Sequence, residues 1–399
     1  MEKTKTQNKH LIFSAWIIGC GLVYIFAYQF NIPLKADVFL YGMLVGLVAM
    51  TLLVGRIIIS KQFILFLSVV LASFIGILHT TNTKEGIREF ILFIFFAGLV
   101  VFSIINPRFI ESFTKWIYLC SIVVVLSSIL HFILPSWFNG VMSRVLRENA
   151  YEQLMESFTI DNTFAGIAAY TSNATFAASI VFGHSFLNIT NKNDNPIIKN
   201  KLINILLLAL SMFSIIICSK RGIFVATLVA MIAMMFYLYR GKKFVLKFIG
   251  IAVLFTVVLV MLYRTNDFVS AFLDRFATDD FTTGRDDIYK SLIADFKESN
   301  ILFGRGTGAT YNIAEKGAHN IYLQILYDHG IVFSIPYYIF FVYNYYLAFK
   351  NKCPLSVFVQ TLFLVYGLSG NPLYSNMFVM IYIYYSLYAE RMPQLKNKA

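Results

Sequence analysis

The sequence predicts an all-α, polytopic integral membrane protein. It should have about twelve transmembrane helices, both termini in the cytoplasm and one large extracytoplasmic loop. Three observations carry that expectation. The 399 residues are 58% hydrophobic and only 14% charged, with a mean hydropathy of +0.69, against roughly 25% charged in a soluble domain. Apolar runs of about 20 residues, the length that crosses a bilayer, recur along the whole chain. Basic residues alternate between loops as the positive-inside rule requires.

In chain order the expected spans are residues 11–30, 36–55, 62–79, 87–105, 115–134, 164–187, 202–219, 222–239, 247–263, 330–349, 355–369 and 375–389. The first run lacks a small-residue cleavage site, so it reads as a span and not as a removed signal peptide. With the N-terminus inside, the inner segments collect Lys3, Lys5 and Lys9, then Arg56 and Lys61, Arg108 and Lys115, and Lys192, Lys199 and Lys201. They continue with Arg240, Lys242, Lys243 and Lys247, then Lys350 and Lys352, and finally Arg391, Lys396 and Lys398. Few acids join them. This distribution accounts for the formal net charge of +12 as helix-orienting charge beside anionic lipid, and it argues against nucleic acid as a partner. Cys20, Cys120, Cys218 and Cys353 lie far apart in or beside apolar runs. Their spacing is neither a disulfide framework nor a metal site.

The inner loops are short and two outer segments are long. In 135–163, Val141, Val145, Leu146, Leu154, Met155 and Phe158 keep helical spacing opposite a charged face. That pattern predicts an amphipathic helix on the outer membrane surface. In 264–329, the run DDIYKSLIADFKE predicts a second amphipathic helix, with Ile288, Leu292, Ile293 and Phe296 on one face. Thr283 or Gly284 would cap it, and Asp286 and Asp287 suit the positive end of its dipole. Function is expected on this outer side, because long loops carry most site residues. No ATP or nucleotide-sugar pool is expected there, so a donor must bring its own leaving group.

Several residues are candidates, each with a plainer alternative. Arg285 opens the second amphipathic helix, where backbone N–H groups and a guanidinium together form an anion site; the alternative is an arginine paired with Asp286 or Asp287. Lys220 and Arg221 form a basic turn on the side where orienting charge is not needed, and either meet an anion or snorkel to headgroups. His319, in GAHN, has the ordinary pKa range of a neutral-pH base, with Asn320 beside it to orient it or a substrate. His329, ten residues on, reads as an interfacial residue where a short helix breaks at Gly330. Arg88 either contacts substrate or pairs locally with Glu85 and Glu89. Asn173 either contacts sugar or bonds between helices. GRGTG at 304–308, which includes Arg305, lacks the Lys-Ser/Thr of a phosphate loop and reads as a turn. The pairs Asp279–Asp280 and Asp286–Asp287 lack a third ligand, so no metal is expected.

The order of these signals is more specific than any one of them. Gly166 and Asn173 open a middle span, and Ser219-x-Arg221-Gly222 follows between two spans. Thr-Gly-Arg at 283–285 comes next, then Gly-x-Gly at 304–306. Ala-His-Asn-x-Tyr-Leu at 318–323 leads to Gly330. This arrangement resembles the Wzy-type O-antigen polymerase and O-antigen ligase superfamily, in motifs over about residues 160–345 and in topology over nearly the whole chain. The chain departs from it in having no clean pair of the Arg-x10-Gly loop motifs described for some polymerases.

The resemblance implies a bacterial cytoplasmic-membrane enzyme whose donor is an oligosaccharide on undecaprenyl diphosphate, with the active site facing outward. It implies that Arg221 and Arg285 meet the diphosphate and that His319 acts near the acceptor hydroxyl; Lys220, Asn320, Arg88, Asn173 and Arg305 are the candidate substrate contacts. It implies no cofactor, metal or nucleotide, and membrane lipid, a chain-length regulator and a flippase as partners. Polymerisation of lipid-linked repeat units and ligation of the glycan to an envelope acceptor both fit. A lipid-linked oligosaccharide flippase is the alternative from another class; it should line a central cavity with charge, whereas the informative residues here lie on the outer side.

Overall fold

The computed structural model describes residues 2–34, 36–54, 59–103, 107–190, 196–239, short pieces of 249–276, and 285–396. Regular structure among them is helical, apart from one antiparallel bridge between Phe30 and Leu146. The first half contains α1 (Glu2–Phe26), α2 (Ala36–Val54), α3 (Lys61–Ile77), α4 (Thr83–Ser103), α5 (Pro107–Ile133), α6 (Pro135–Val145), α7 (Glu148–Asp161) and α8 (Thr171–Ile189). The second half contains α9 (Lys201–Ile217), α10 (Arg221–Leu238), α11 (Asp267–Asp274), α12 (Arg285–Lys297), α13 (Ile321–Lys350), α14 (Pro354–Tyr366) and α15 (Asn376–Lys396).

Four described helices are long and apolar enough to cross a membrane: α4, α5, α10 and α13. Shorter apolar helices lie at Phe13–Phe26, Val38–Leu53, Lys61–Ile77, Lys201–Ile217 and Pro354–Tyr366. Their outer faces carry bare apolar side chains: Leu52 is 77% exposed, Leu202 76% and Val342 68%. Apolar area on this scale suits hydrocarbon and not water, so these helices are those of an integral membrane protein. The expected span at 247–263 lies largely outside the described residues. The expected span at 164–187 starts late. Residues 164–170 are irregular around a 3-10 turn at Gly166–Ala168, and α8 begins only at Thr171. Gly166 has φ +60 and sits against the Ser127–Ser128 backbone of α5. This close approach takes the chain out of helical conformation.

Helix pairs bury the core. α10 packs along α14, α8 along α9, α1 along α2, and α3 between α4 and α13; α5 joins α8 and α15. Hydrogen bonds cross these seams inside the bundle, from Gln62 Nε2 to Asn344 Oδ1 at 2.6 Å and between Ser179 and Thr227 hydroxyls at 2.6 Å. Such bonds register helices where apolar packing alone does not distinguish one rotation from another.

The outer segments depart from expectation in two places. Residues 135–161 form two helices and not one, because Leu146 and Arg147 are extended. Arg147 explains the break: its backbone N–H donates to Gln29 O, and its guanidinium donates to Phe30 O at 3.0 Å and Leu34 O at 3.1 Å. In α12, Ile288, Leu292 and Phe296 pack with Ala309, Ala318, Leu323 and Tyr327, while Ile293 is exposed. The packed positions are spaced by four; Ile293 lies one residue round the helix.

The GRGTG segment is a turn, as its composition predicts. It lies between α3, α4 and α13: Arg305 and Gly306 N–H groups donate to Tyr327 O and Asp328 O, and Thr307 Oγ1 donates to Ser73 O at 2.7 Å. This covers His329, which is fully buried within the protein. Its Nε2 meets Tyr337 Oη at 2.8 Å, and the two rings stack. The break after it is real. Gly330 has φ +63 and ψ −173 inside α13, and a Cβ there would strike the Leu302 and Gly304 backbones. Gly330→Ala therefore combines a backbone state open almost solely to glycine with overpacking. We expect a loss of more than ~3 kcal/mol, read as a lowered thermal unfolding midpoint in detergent or as failure to accumulate folded protein.

Candidate functional site

Residues at the ends of α10, α12 and α13 meet around His319. This residue closes the irregular segment before α13. Its φ of +53 lies in the left-handed region, a conformation that costs about 1–3 kcal/mol in non-glycine residues and persists only when neighbours enforce it. Here they do. Tyr289 Oη donates to the His319 carbonyl at 3.3 Å, and Ala318 N–H donates to Gln324 Oε1 at 3.3 Å. Immediately after it, Asn320 Oδ1 accepts from Tyr322 N at 3.0 Å and Leu323 N at 3.1 Å. Asn320 is thus the N-cap of α13. It orients the chain that carries His319 and spends its side-chain carbonyl on the backbone.

The charges around His319 come from three segments. Burial, then the charges of Arg285, Lys220 and Lys316, push its pKa down to about 4. A histidine held this way is neutral at pH 7, with a ring nitrogen able to accept a proton. Arg285 is the first residue of α12, and its guanidinium donates to the carbonyl of Ser369 at 2.6 Å. Asp286 and Asp287 are exposed, and Asp287 faces Lys290 at 3.5 Å. The cap positions Thr283 and Gly284 lie outside the described residues, as do Asp279 and Asp280. Lys220 is exposed at the N-cap of α10, which has no side-chain cap bond. Arg221 starts that helix with its guanidinium 6.0 Å from the Phe276 ring centre, at the outer limit of a cation–π contact. Among the described residues, no group of three or more His, Cys, Asp or Glu side chains converges as a metal site would.

Three other candidates stand apart from this cluster. Arg305 is engaged by Asp295 through two bonds of 2.8 Å, and Tyr327 Oη donates to the same carboxylate at 2.6 Å. This fork joins α12 to the GRGTG turn and α13. Both ion-pair partners remain about a third exposed, so Arg305→Ala should cost on the order of 1 kcal/mol. It should lower the unfolding midpoint in detergent while leaving the KM for donor near that of the parent. Arg88 has a 79% exposed side chain and pairs with Glu85 at 3.1 Å. Asn173 donates to Tyr28 Oη at 2.7 Å between α8 and the end of α1.

Other groups here were not singled out in the sequence. Lys316 adds the third positive charge on His319. Ser369 supplies the carbonyl that holds Arg285. Glu89 is buried, within electrostatic reach of Asp328 as well as of Glu85 and Arg88. Asp328 in turn accepts from Thr310 N and Oγ1, both at 2.8 Å. Glutamate spacing on a helix marks Glu89 as a neighbour of Arg88; only the fold of residues 309–328 over α4 places it beside a second carboxyl.

A basic site next to a neutral histidine can hold an anionic leaving group and accept a proton. Residues 206–337 match the family model Wzy_C, described as O-antigen ligase. The match covers about a third of the chain. Enzymes of the Wzy_C family are of the glycosyltransferase type, acting in polysaccharide transfer in membranes, and the family implies a lipid-linked glycan substrate. No curated protein matches the chain. The Wzy_C segment runs from α9 into α13 and includes Lys220, Arg221, Arg285, Lys316, His319 and Asn320. Arg88, Asn173 and Ser369 lie outside it.

Proposed function

We propose that this protein polymerises polyprenyl-diphosphate-linked oligosaccharide repeat units at the outer face of a bacterial cytoplasmic membrane. The observation that carries the reading is the convergence of Arg285, Lys220 and Lys316 on His319. The acceptor hydroxyl oxygen attacks the anomeric carbon of the donor glycan. The bond from that carbon to the diphosphate oxygen breaks, and its electron pair stays on the diphosphate. The hydroxyl proton passes to His319. The reaction balances without a nucleotide or a redox partner.

The leaving diphosphate gathers charge as the bond lengthens. Cations aimed at it stabilise the transition state more than the ground state. Arg285 and Arg221 are the forked donors suited to phosphate oxygens; Lys220 adds an exposed point charge. Holding two lipid-linked chains in one membrane plane supplies proximity. Burial first, and then the cations around it, hold His319 neutral in the free protein; a diphosphate would neutralise those cations. Donor arrival therefore raises the basicity of His319 at the moment a base is needed.

The test is reconstitution of the full chain in proteoliposomes with lipid-linked repeat unit extracted from the producing bacterium. New polymer on the lipid carrier supports polymerisation. Transfer to an added envelope acceptor without chain growth supports ligation instead. Transbilayer movement of the substrate with no new glycosidic bond would overturn both.

A further inference from the structure

The connection between α14 and α15, residues 367–371, touches every segment that builds the candidate site. Gly367 O accepts from Ile321 N at 2.8 Å, just after the His319–Asn320 step. Ser369 O accepts from the Arg285 guanidinium at 2.6 Å. Asn371 Nδ2 donates to Lys316 O at 3.3 Å. On the fourth side, the Ser369 side chain lies directly against Gly222, in the first turn of α10. A Cβ built on Gly222 would overlap Ser369 Oγ and stand 3.1 Å from Ser369 Cβ. Ser369 is itself pinned, since its N–H donates to Tyr366 O at 2.9 Å. One residue therefore bears on both cationic segments, Arg285 through its carbonyl and the Lys220–Arg221 turn through its side chain.

We propose that Ser369 is a positioning residue of the anion site. Its carbonyl fixes the direction of the Arg285 guanidinium. Its side chain, seated against Gly222, sets the separation between that guanidinium and the Lys220–Arg221 turn, so that both address one diphosphate. The inference rests on the diphosphate reading above. It accounts for the glycine at 222: even with Ser369 Oγ rotated aside, a side chain there would stand 3.1 Å from Ser369 Cβ and crowd the α10 start away from it. Two groups sharing one small anion tolerate little spreading, because a misplacement of about 1 Å can cost on the order of 100-fold.

The test is binding of radiolabelled undecaprenyl diphosphate, without sugar, to the full chain in nanodiscs. Gly222→Ala is expected to weaken binding about 10-fold. Adding Ser369→Gly, which removes the atoms the new Cβ meets, is expected to bring affinity back to within about 3-fold of the parent. Thermal unfolding midpoints of the same variants are expected to stay near the parent's; a midpoint that falls and recovers in step with affinity would mark a merely structural defect and overturn the positioning role. Ser369→Val, which drives the wedge from the other side, should weaken binding as Gly222→Ala does, and it carries the test if Gly222→Ala does not fold. Parent-like binding by either wedge variant, or no recovery in the double variant, overturns the role of Ser369. Arg285→Ala separates the two levels. If it binds undecaprenyl diphosphate like the parent, the diphosphate reading itself fails; if it loses binding while the wedge variants do not, only the positioning role falls.

Discussion

His319→Ala is expected to slow glycan transfer by about 100-fold to 10,000-fold, the range for removing a general base, while lipid-diphosphate affinity changes little. The residue is held for this task. Its left-handed backbone, the Tyr289 bond to its carbonyl and the Asn320 cap after it fix the ring's position. Its pKa of about 4 predicts a particular pH response. The competent form is neutral, so activity is retained above the pKa and lost as pH falls through it. In kcat/KM, which reports the free protein, the acid limb should lie near pH 4 and not near 6.5. In kcat, which reports the donor complex, it should lie higher, because bound diphosphate offsets the cations that depress it. Lys316→Gln removes one of those charges and should shift the kcat/KM limb upward. Transfer by His319→Ala within a few-fold of the parent would remove His319 from the chemistry. A limb that Lys316→Gln leaves in place would mean that Lys316 does not act on the ring.

Arg285→Ala should carry the second large effect, a fall of about 100-fold to 1,000-fold in transfer rate, as when one preorganised transition-state donor is removed, with weaker donor binding as well. Of the five N–H donors of a guanidinium, the bond to Ser369 O uses one and the Tyr289 hydroxyl engages another; those left can fork onto phosphate oxygens. Arg285→Lys should recover little, because an ammonium cannot hold a backbone carbonyl and grip two phosphate oxygens in a fixed plane. Full activity of the lysine variant would reduce Arg285 to a point charge. Reversing the order of effects, with rate intact and only KM raised, would make it a ground-state binding group.

Much of the candidate site was legible before the fold was known. The order SxRG, TGR, GAHN marked Lys220, Arg221, Arg285 and His319; in the structure the charges of Lys220 and Arg285 act on His319, while Arg221, next to Lys220 in sequence, has its guanidinium near the Phe276 ring. Other residues read differently once folded. Asn320 was a substrate contact by its position beside His319 and is a helix cap by its bonds. Arg305 was a candidate substrate contact in a glycine-rich turn and is forked onto Asp295. His329 looked interfacial because the span count restarts at Gly330, yet the GRGTG turn covers it. Ser369 carried no sequence signal, since a serine ending an apolar run is ordinary.

The division follows from the range of the physics involved. Membrane insertion is a sum over neighbouring residues, so apolar run length disclosed the helical class and the apolar helices from the sequence by itself; the count of twelve spans and their sidedness are expectations from run length and charge alternation. Caps and amphipathic faces are also local, reaching three or four residues, and so α12 was visible with only Ile293 misplaced. The partner of a charge is different. Whether Arg285 meets Asp286 one residue away or Ser369 across the bundle, and whether Glu89 faces Arg88 or Asp328, depends on which helix ends the fold brings together. Those pairings are set by loop closure and packing among segments far apart in the sequence, 84 residues for Arg285 and Ser369, and the tertiary structure alone decided them.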